Sequence, residues 1–394
     1  MNKTPTKKVR ESGLELGRMI IMFQIVFLHV CTYGNYAGAS KAAGGIHEFL
    51  FYLIWLMCRG PVLLLIMIMG YFTVTKQQTV KQTFPKIKSL YLPMIFYSIF
   101  LHVAALIIDR VSDFEVFQTY GKGDLISVFF PFTHRTWYFL TLYIMVLIIT
   151  PYLNMVLQKI SKQEYLTLIG ILGFMFCIWQ PLSKMPHFNQ VFQTVKVFTT
   201  EGGKSYYDFI FAYIIGGYIR LHLKEPFKKN WHNLAAFFGL GILNTGICFL
   251  YEDYKKVVPF NDNLIVLIQC VFFILFFKNL KIQSKVINAM AATNLGIYMI
   301  HEQPQFRRII WKDWLVFSHQ KGFYSTWKFP IKIILLCCIV YFGCMLVEFG
   351  RIYLFKLVGR IYNKYLSKKQ IATEVSEVAE QSLSLINKKN KENA

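Results

Sequence analysis

Arg18, His29, Arg59, His102 and Glu348 lie inside long apolar runs of this sequence, and His134, Arg135 and His301 stand at the ends of such runs. Ionisable groups are costly in hydrocarbon. They face a bundle interior, a water-filled cavity or one another, and so mark a substrate path or a reactive centre. A guanidinium cannot shed its charge, so a deep Arg59 needs a partner anion. An imidazole changes charge near neutral pH.

Spacing groups some of these residues. Arg18 and His29 are eleven residues apart. At 100° per residue this is about 1100°, within roughly 20° of whole turns, and about 16 Å along a helix axis. Both therefore share one face of a first helix, with His29 well inside the bilayer. The next run returns the other way as a second helix, and Arg59 falls about ten residues, or roughly 15 Å, inside its outer end. His29 and Arg59 thus come to similar depth from opposite directions, which implies a shared internal cavity. Plainer roles stay open. Arg18 can pair with Glu15 one turn away or snorkel to lipid phosphates, and His29 can serve as a polar bridge between helices. Glu348 lies one turn before Arg351 and can form a local ion pair with it.

The elements that must carry these residues are membrane helices. The chain has 394 residues, 55% hydrophobic and only 16% charged, with a mean hydropathy of +0.41. A soluble domain carries about 25% charged residues. The apolar residues come in runs near the ~20 residues that span hydrocarbon. The pattern predicts an all-α, polytopic transmembrane bundle of about ten helices, near 14–34, 48–74, 90–108, 136–157, 164–180, 207–223, 232–251, 261–277, 285–302 and 329–357. The first run shows no small-residue cleavage signature and is expected to be a retained helix. No internal repeat is visible.

The net charge of +22 sits mainly in short connections, as the positive-inside rule requires of a polytopic chain, and there is no nucleic-acid motif. One parity of connections is basic: Lys76 to Lys88, Lys159 and Lys162, Lys224 to Lys229, and Lys278 to Lys285. The N-terminal segment and the tail share that bias, which places both termini in the cytoplasm. Arg307, Arg308, Lys312 and Lys321 break the pattern, because their connection falls on the outer side. The expected organisation is a cytoplasmic segment over 1–13, a transmembrane domain over 14–360 and a cytoplasmic polar tail over 361–394. None of the eight cysteines forms a Cys-x-x-Cys pair. They imply neither a zinc site nor a disulfide framework, and no metal is expected.

Several stretches together resemble the integral membrane acyltransferases of acyltransferase family three, which include polysaccharide O-acetyltransferases. GRMIIMFQIVFLHV carries an Arg-x10-His signature in Arg18 and His29. RGPVLLLIMIMGYF begins with Arg59 and ends in Gly70, Tyr71 and Phe72, with the proline displaced to Pro61 and Met69 where the family has serine. KIKSLYLPMIFYS, TWYFLTLYIMVLIITPYL and NLGIYMIHE follow in order. The resemblance covers about residues 12–360. It implies transfer of an acyl group, acetyl above all, from cytosolic acetyl-coenzyme A to a hydroxyl of a cell-surface or lipid-linked polysaccharide at the plasma membrane. On that reading His29 is the base and Arg59 stabilises the oxyanion. Arg18, Lys86 and Lys88 hold or attract the coenzyme phosphates. His301, His134, Arg135 and Trp137 lie toward the acceptor. The alternative is a transporter or flippase for a lipid-linked sugar or small solute, with the same Arg and His lining its path. The lack of repeats weighs against it. A glycan polymerase would carry a large outer loop, and no connection exceeds about thirty residues.

Overall fold

A computed structural model of the chain describes residues 12–33, 44–112, 122–133, 137–193, 202–251, 263–308, 310–311 and 326–392. Its elements are helices, with no strand among the described residues. In chain order they are α1 (Gly13–Tyr33), α2 (Gly45–Met57), α3 (Pro61–Thr73), α4 (Val80–Val111), α5 (Lys122–Phe129) and α6 (Tyr138–Leu157). Then come α7 (Lys162–Ser183), α8 (Tyr206–Leu221), α9 (Trp231–Leu250), α10 (Leu264–Lys278), α11 (Lys285–Ala291), α12 (Asn294–Glu302), α13 (Pro304–Arg308) and α14 (Lys328–Glu392). The chain divides into two compact units, Met1–Cys344 and Met345–Ala394. In the second, Glu348 and Arg351 form the expected local pair at 2.6 and 2.7 Å.

Among the described residues, seven helical stretches are long and apolar enough to cross a membrane: α1, Gly45–Thr73, α4, α6, α7, α9 and Lys328–Tyr365. The expected count was about ten. The difference lies in three short elements. α10 has 15 residues, α8 has 16, and α11 and α12 are two pieces of one expected helix. α8 is buried along most of its length and packs mainly on α3. An interior helix needs no full-length lipid-facing surface, so its short apolar run is no anomaly.

Two expected helices are interrupted. The run over 48–74 breaks at Cys58–Gly60, where Pro61 supplies no N–H to carry the helical hydrogen-bond ladder across and instead opens the next helix at its first position. Backbone groups freed at this depth must find partners. Gln24 Nε2 donates to the Met57 carbonyl at 3.3 Å, and Cys270 Sγ donates to the Gly60 carbonyl at 3.7 Å. The run over 285–302 breaks between Ala291 and Asn294. Two other runs extend beyond expectation. α4 starts at Val80 behind a Thr79–Gln82 capping box, so Lys86 and Lys88 stand on exposed turns of a helix and not in a loop. α14 continues through the stretch expected as a polar tail. Both additions are polar turns that an apolar-run criterion cannot see.

Small residues bring α3 and α8 into backbone contact. A Cβ at Gly216 would strike the Met67 carbonyl, and one at Gly70 would strike the Tyr213 carbonyl. In lipid, close packing of this kind stands in for the absent hydrophobic drive between helices. A buried polar knot closes the end of α3. Asn154 Nδ2 donates to Thr73 O at 2.7 Å, Gln158 Nε2 to Val74 O at 2.6 Å, and Tyr213 Oη to Asn154 Oδ1 at 2.6 Å. The first two bonds satisfy carbonyls that a helix C-terminus leaves without partners, and the third holds Asn154 in position to make its own.

α1 and α12 run in parallel. Ser12 bonds the backbone at Ser284 (2.9 Å), Asn294 Nδ2 donates to Arg18 O (2.9 Å), and His29 meets His301 (2.8 Å). These ties ascend both chains in the same order, so α12 carries its terminal residues to the end of α1 that holds His29.

Candidate functional site

The C-terminal turns of α1 and α12 place five polar side chains together with α13. From α1 come His29 and Tyr33, one turn apart on one face. From α12 come His301 and Glu302, and α13 supplies Arg307. His29 Nδ1 stands 2.8 Å from His301 Nε2 and 3.2 Å from Glu302 Oε1. Tyr33 Oη donates to Glu302 Oε1 at 3.1 Å and accepts from Arg307 Nη1 at 3.1 Å. The Arg307 guanidinium also lies 3.9 Å from Glu302 Oε2 and 4.9 Å over the Tyr33 ring.

Hydrogen-bond chemistry assigns the protons. His301 Nδ1 faces the Ile297 carbonyl at 2.5 Å. A carbonyl only accepts, so the His301 proton is on Nδ1 and its Nε2 is a lone pair. That lone pair and the Glu302 carboxylate both face His29 Nδ1, which therefore carries the His29 proton. The remaining nitrogen, His29 Nε2, is left with a lone pair able to take a proton. Access singles out the same residue: His301 is 0% exposed, whereas 18% of the His29 side chain is exposed. The arrangement is a reachable imidazole whose far side faces a carboxylate. When Nε2 takes a proton, the resulting cation lies against Glu302, the logic by which an acidic partner orients and supports a histidine base.

The surroundings hold α12 in place. Trp137 is fully buried, and its Nε1–H donates to Met299 O at 3.2 Å. This carbonyl belongs to the last turn of α12, where it has no intrahelical partner. Phe139 packs edge-on against Tyr298 at 5.6 Å. Trp137, expected toward the acceptor, thus fixes the end of the helix that presents His301 and Glu302.

Other expected residues fall elsewhere. Arg18 donates to Glu15 Oε2 at 3.1 Å, the local pair open to it from the sequence, while its side chain stays 36% exposed. Arg59 stands in the helix break with its Cζ 3.9 Å over the Trp55 ring, and its buried Nε has no hydrogen-bond partner. The contact from Gln24 to Met57 puts the break about five residues, or roughly 7 Å, along α1 from His29. Among the described residues, Arg307 is the cation in contact with the histidine cluster, and Lys204 lies within electrostatic range of His29 and Glu302. Lys86 and Lys88 lie on α4, and His102 is buried on the same helix. His134 and Arg135 lie outside the described residues.

Glu302, Tyr33 and Arg307 were not among the expected site residues. Arg307 had left a signal, as one of the basic residues on the wrong parity of connection. Glu302 directly follows His301 in NLGIYMIHE, and nothing in that stretch marks it off from an ordinary carboxylate at a helix end. Ligand-type atoms of His29, His301 and Glu302 all lie within 4.8 Å of one another, so this cluster has the donor set to hold a metal, where no metal was expected.

An apolar cavity of about 430 Å³ lies elsewhere in the first unit, lined by Phe23, Gln24 and Phe27 of α1 with parts of α2 and the start of α14. His29 is two residues, about 200°, around the helix from Phe27, so it projects from the opposite side of α1.

A family described as an acyltransferase domain matches residues 11–349, nearly the whole chain. No curated protein matches, and no solved structure matches.

Proposed function

The chain belongs to this acyltransferase family, and is a multi-pass membrane protein of the acyltransferase kind; from that premise we propose that it is an O-acetyltransferase of the plasma membrane, with both termini cytoplasmic. Its donor is cytosolic acetyl-coenzyme A, and its acceptor is a hydroxyl of a cell-surface or lipid-linked polysaccharide. The observation that carries the reading is the reachable His29 imidazole backed by Glu302 at 3.2 Å.

In this reaction the acceptor oxygen attacks the thioester carbonyl carbon as its proton passes to His29 Nε2. The imidazolium is held by Glu302, with Tyr33 and Arg307 fixing the carboxylate. The tetrahedral oxyanion needs a cation or donors where its charge develops. Arg307, the guanidinium in contact with the histidine cluster, stands nearer to that position than Arg59, the group expected from the sequence, which lies in the helix break. Collapse of the intermediate breaks the carbon–sulfur bond, and His29 returns its proton to the departing thiolate. Arg18 lies about 16 Å along α1 from His29, and with Lys86 and Lys88 it serves the coenzyme phosphates.

The test is His29→Ala, with NMR of surface polysaccharide esters as the readout. General-base removal lowers rates by about 10²–10⁴-fold, so ester signals are expected to vanish while the protein remains in the membrane at normal level. Near-normal ester content in that variant would refute the assignment. A transporter would instead alter where an unmodified substrate is found, with no added acyl mass.

A further inference from the structure

We propose that His29 Nδ1, His301 Nε2 and Glu302 Oε1 form a binding site for a transition-metal ion, zinc fitting best, and that the bound ion switches His29 off as a base. The inference rests on the reading of His29 Nε2 as the proton acceptor.

The donor set is two imidazoles and one carboxylate, the composition of a zinc site that keeps a fourth position open. All three ligand-type atoms lie within 4.8 Å of one another. Their supports are those that ligands need. A ligating histidine donates its other N–H to a carbonyl or carboxylate, and His301 Nδ1 does so to Ile297 O. The Glu302 carboxylate is itself held by Tyr33.

The distances say what must move. Ligands bound tetrahedrally at about 2.0–2.1 Å stand about 3.3 Å apart. His29 Nδ1 and Glu302 Oε1 already stand 3.2 Å apart. The two imidazole nitrogens stand at 2.8 Å, a separation set by a shared proton, and must part by about 0.5 Å to take the ion. The His301 and Glu302 ligand atoms lie within 4.8 Å of each other and must draw in by up to about 1.5 Å to reach the same separation; both side chains sit at a helix end, where rotamer changes supply movements of this size.

Proton placement makes metal binding and base action exclusive. Coordination requires a lone pair on His29 Nδ1, which now carries the ring proton. That proton moves to Nε2, so no proton is lost and the ring stays neutral. The Nε2 lone pair that would accept the acceptor's proton is then gone. Arg307, 3.9 Å from Glu302 Oε2, repels the incoming cation and limits its affinity.

The experiment uses the full-length protein in lipid nanodiscs, treated with chelator and then titrated with cobalt(II) alone, followed by its visible absorption, with zinc added in competition. One equivalent is expected to bind, with binding lost in His301→Ala and in Glu302→Gln. Arg307→Gln is expected to tighten binding about tenfold by removing the opposing charge, a gain that a misfolded variant cannot produce. In a parallel acyl-transfer assay zinc is expected to abolish turnover and chelator to restore it. No uptake by the wild-type protein, or uptake unaltered in all three variants, would overturn the metal site and leave the base assignment standing. Uptake at the site with turnover undiminished would overturn the switch, and with it the choice of Nε2 as base.

Discussion

Replacing Glu302 by glutamine tests how the cluster works, because it removes a charge and little else. The amide oxygen can still accept from His29 Nδ1 and from Tyr33, so ring orientation is largely kept. What is lost is attraction between the carboxylate and the imidazolium that forms when His29 takes a proton. At the 3.2 Å contact, Coulomb's law with an effective dielectric of about 20 gives an upper figure of about 5 kcal/mol. Tyr33 and Arg307 already draw on the same carboxylate, so the net effect is nearer that of one charge-assisted hydrogen bond, about 1.5–3 kcal/mol. The expected cost is therefore about 10- to 150-fold in turnover. It should appear in kcat, because the charge pair exists only after proton transfer, and leave KM for acetyl-coenzyme A nearly unchanged. The assay is acetyl transfer by purified protein in nanodiscs with isotope-labelled donor, alongside thermal unfolding to show that the fold is intact. A Glu302→Gln protein that unfolds normally and turns over within threefold of wild type would refute the reasoning. Equal loss in kcat/KM with all of it in KM would place Glu302 in binding instead.

Further outcomes follow from other contacts. Tyr33→Phe removes the hydroxyl that joins Arg307 to Glu302; a neutral hydrogen bond contributes about 1 kcal/mol, so a loss of about fivefold in kcat is expected, smaller than that of Glu302→Gln and measured in the same assay. Gly216→Ala drives a methyl into the Met67 carbonyl, where overpacking costs about 1–3 kcal/mol; a lower unfolding temperature is expected, with the per-molecule rate of the remaining folded protein unchanged. Arg18→Ala is expected to raise KM for the acyl donor with little effect on the acceptor; an unaltered donor dependence would reduce Arg18 to its pair with Glu15.

The membrane-helical character of the chain was legible from composition and the length of apolar runs, because hydrocarbon imposes both. Boundaries were less so. α4 gained ten residues at its start and α14 ran on through polar turns, since a helix has no reason to end where its apolar face does. The break before Pro61 was readable, and the depth of Arg59 reckoned along an unbroken helix needed it. At the site, the register of Arg18 and His29 on one helix was a matter of periodicity. Which other helix would meet His29 was not. His301 lies 272 residues away, and only the parallel pairing of α1 with α12 brings it there. The same pairing explains why Glu302 escaped notice: nothing local distinguishes a carboxylate at a helix end from one that faces an imidazole of a distant segment.

The pairing also constrains how the proposed cytosolic donor and the proposed outer acceptor can share one centre. Ser12 with Ser284, Arg18 with Asn294 and His29 with His301 form a ladder along one seam. On the proposed orientation its lower rungs lie toward the cytosol and its top rung toward the outer face. The chemistry belongs at the top, where His29 is the exposed member of a pair whose other imidazole is fully enclosed. A phosphate-binding role for Arg18 then requires that the donor enter from below and present its thioester about 16 Å higher. The helix break at Cys58–Gly60 lies between these levels, and there the Arg59 guanidinium rests on Trp55 with a buried nitrogen that lacks a partner. An Arg held in that way costs stability and so calls for an anion that arrives only with a ligand. Arg59 is thus better placed along the donor's path than at the imidazole itself. Arg59→Lys keeps the charge but loses the planar stack, and on this argument it should weaken donor binding while leaving the His29–Glu302 chemistry, and therefore kcat at saturating donor, close to normal.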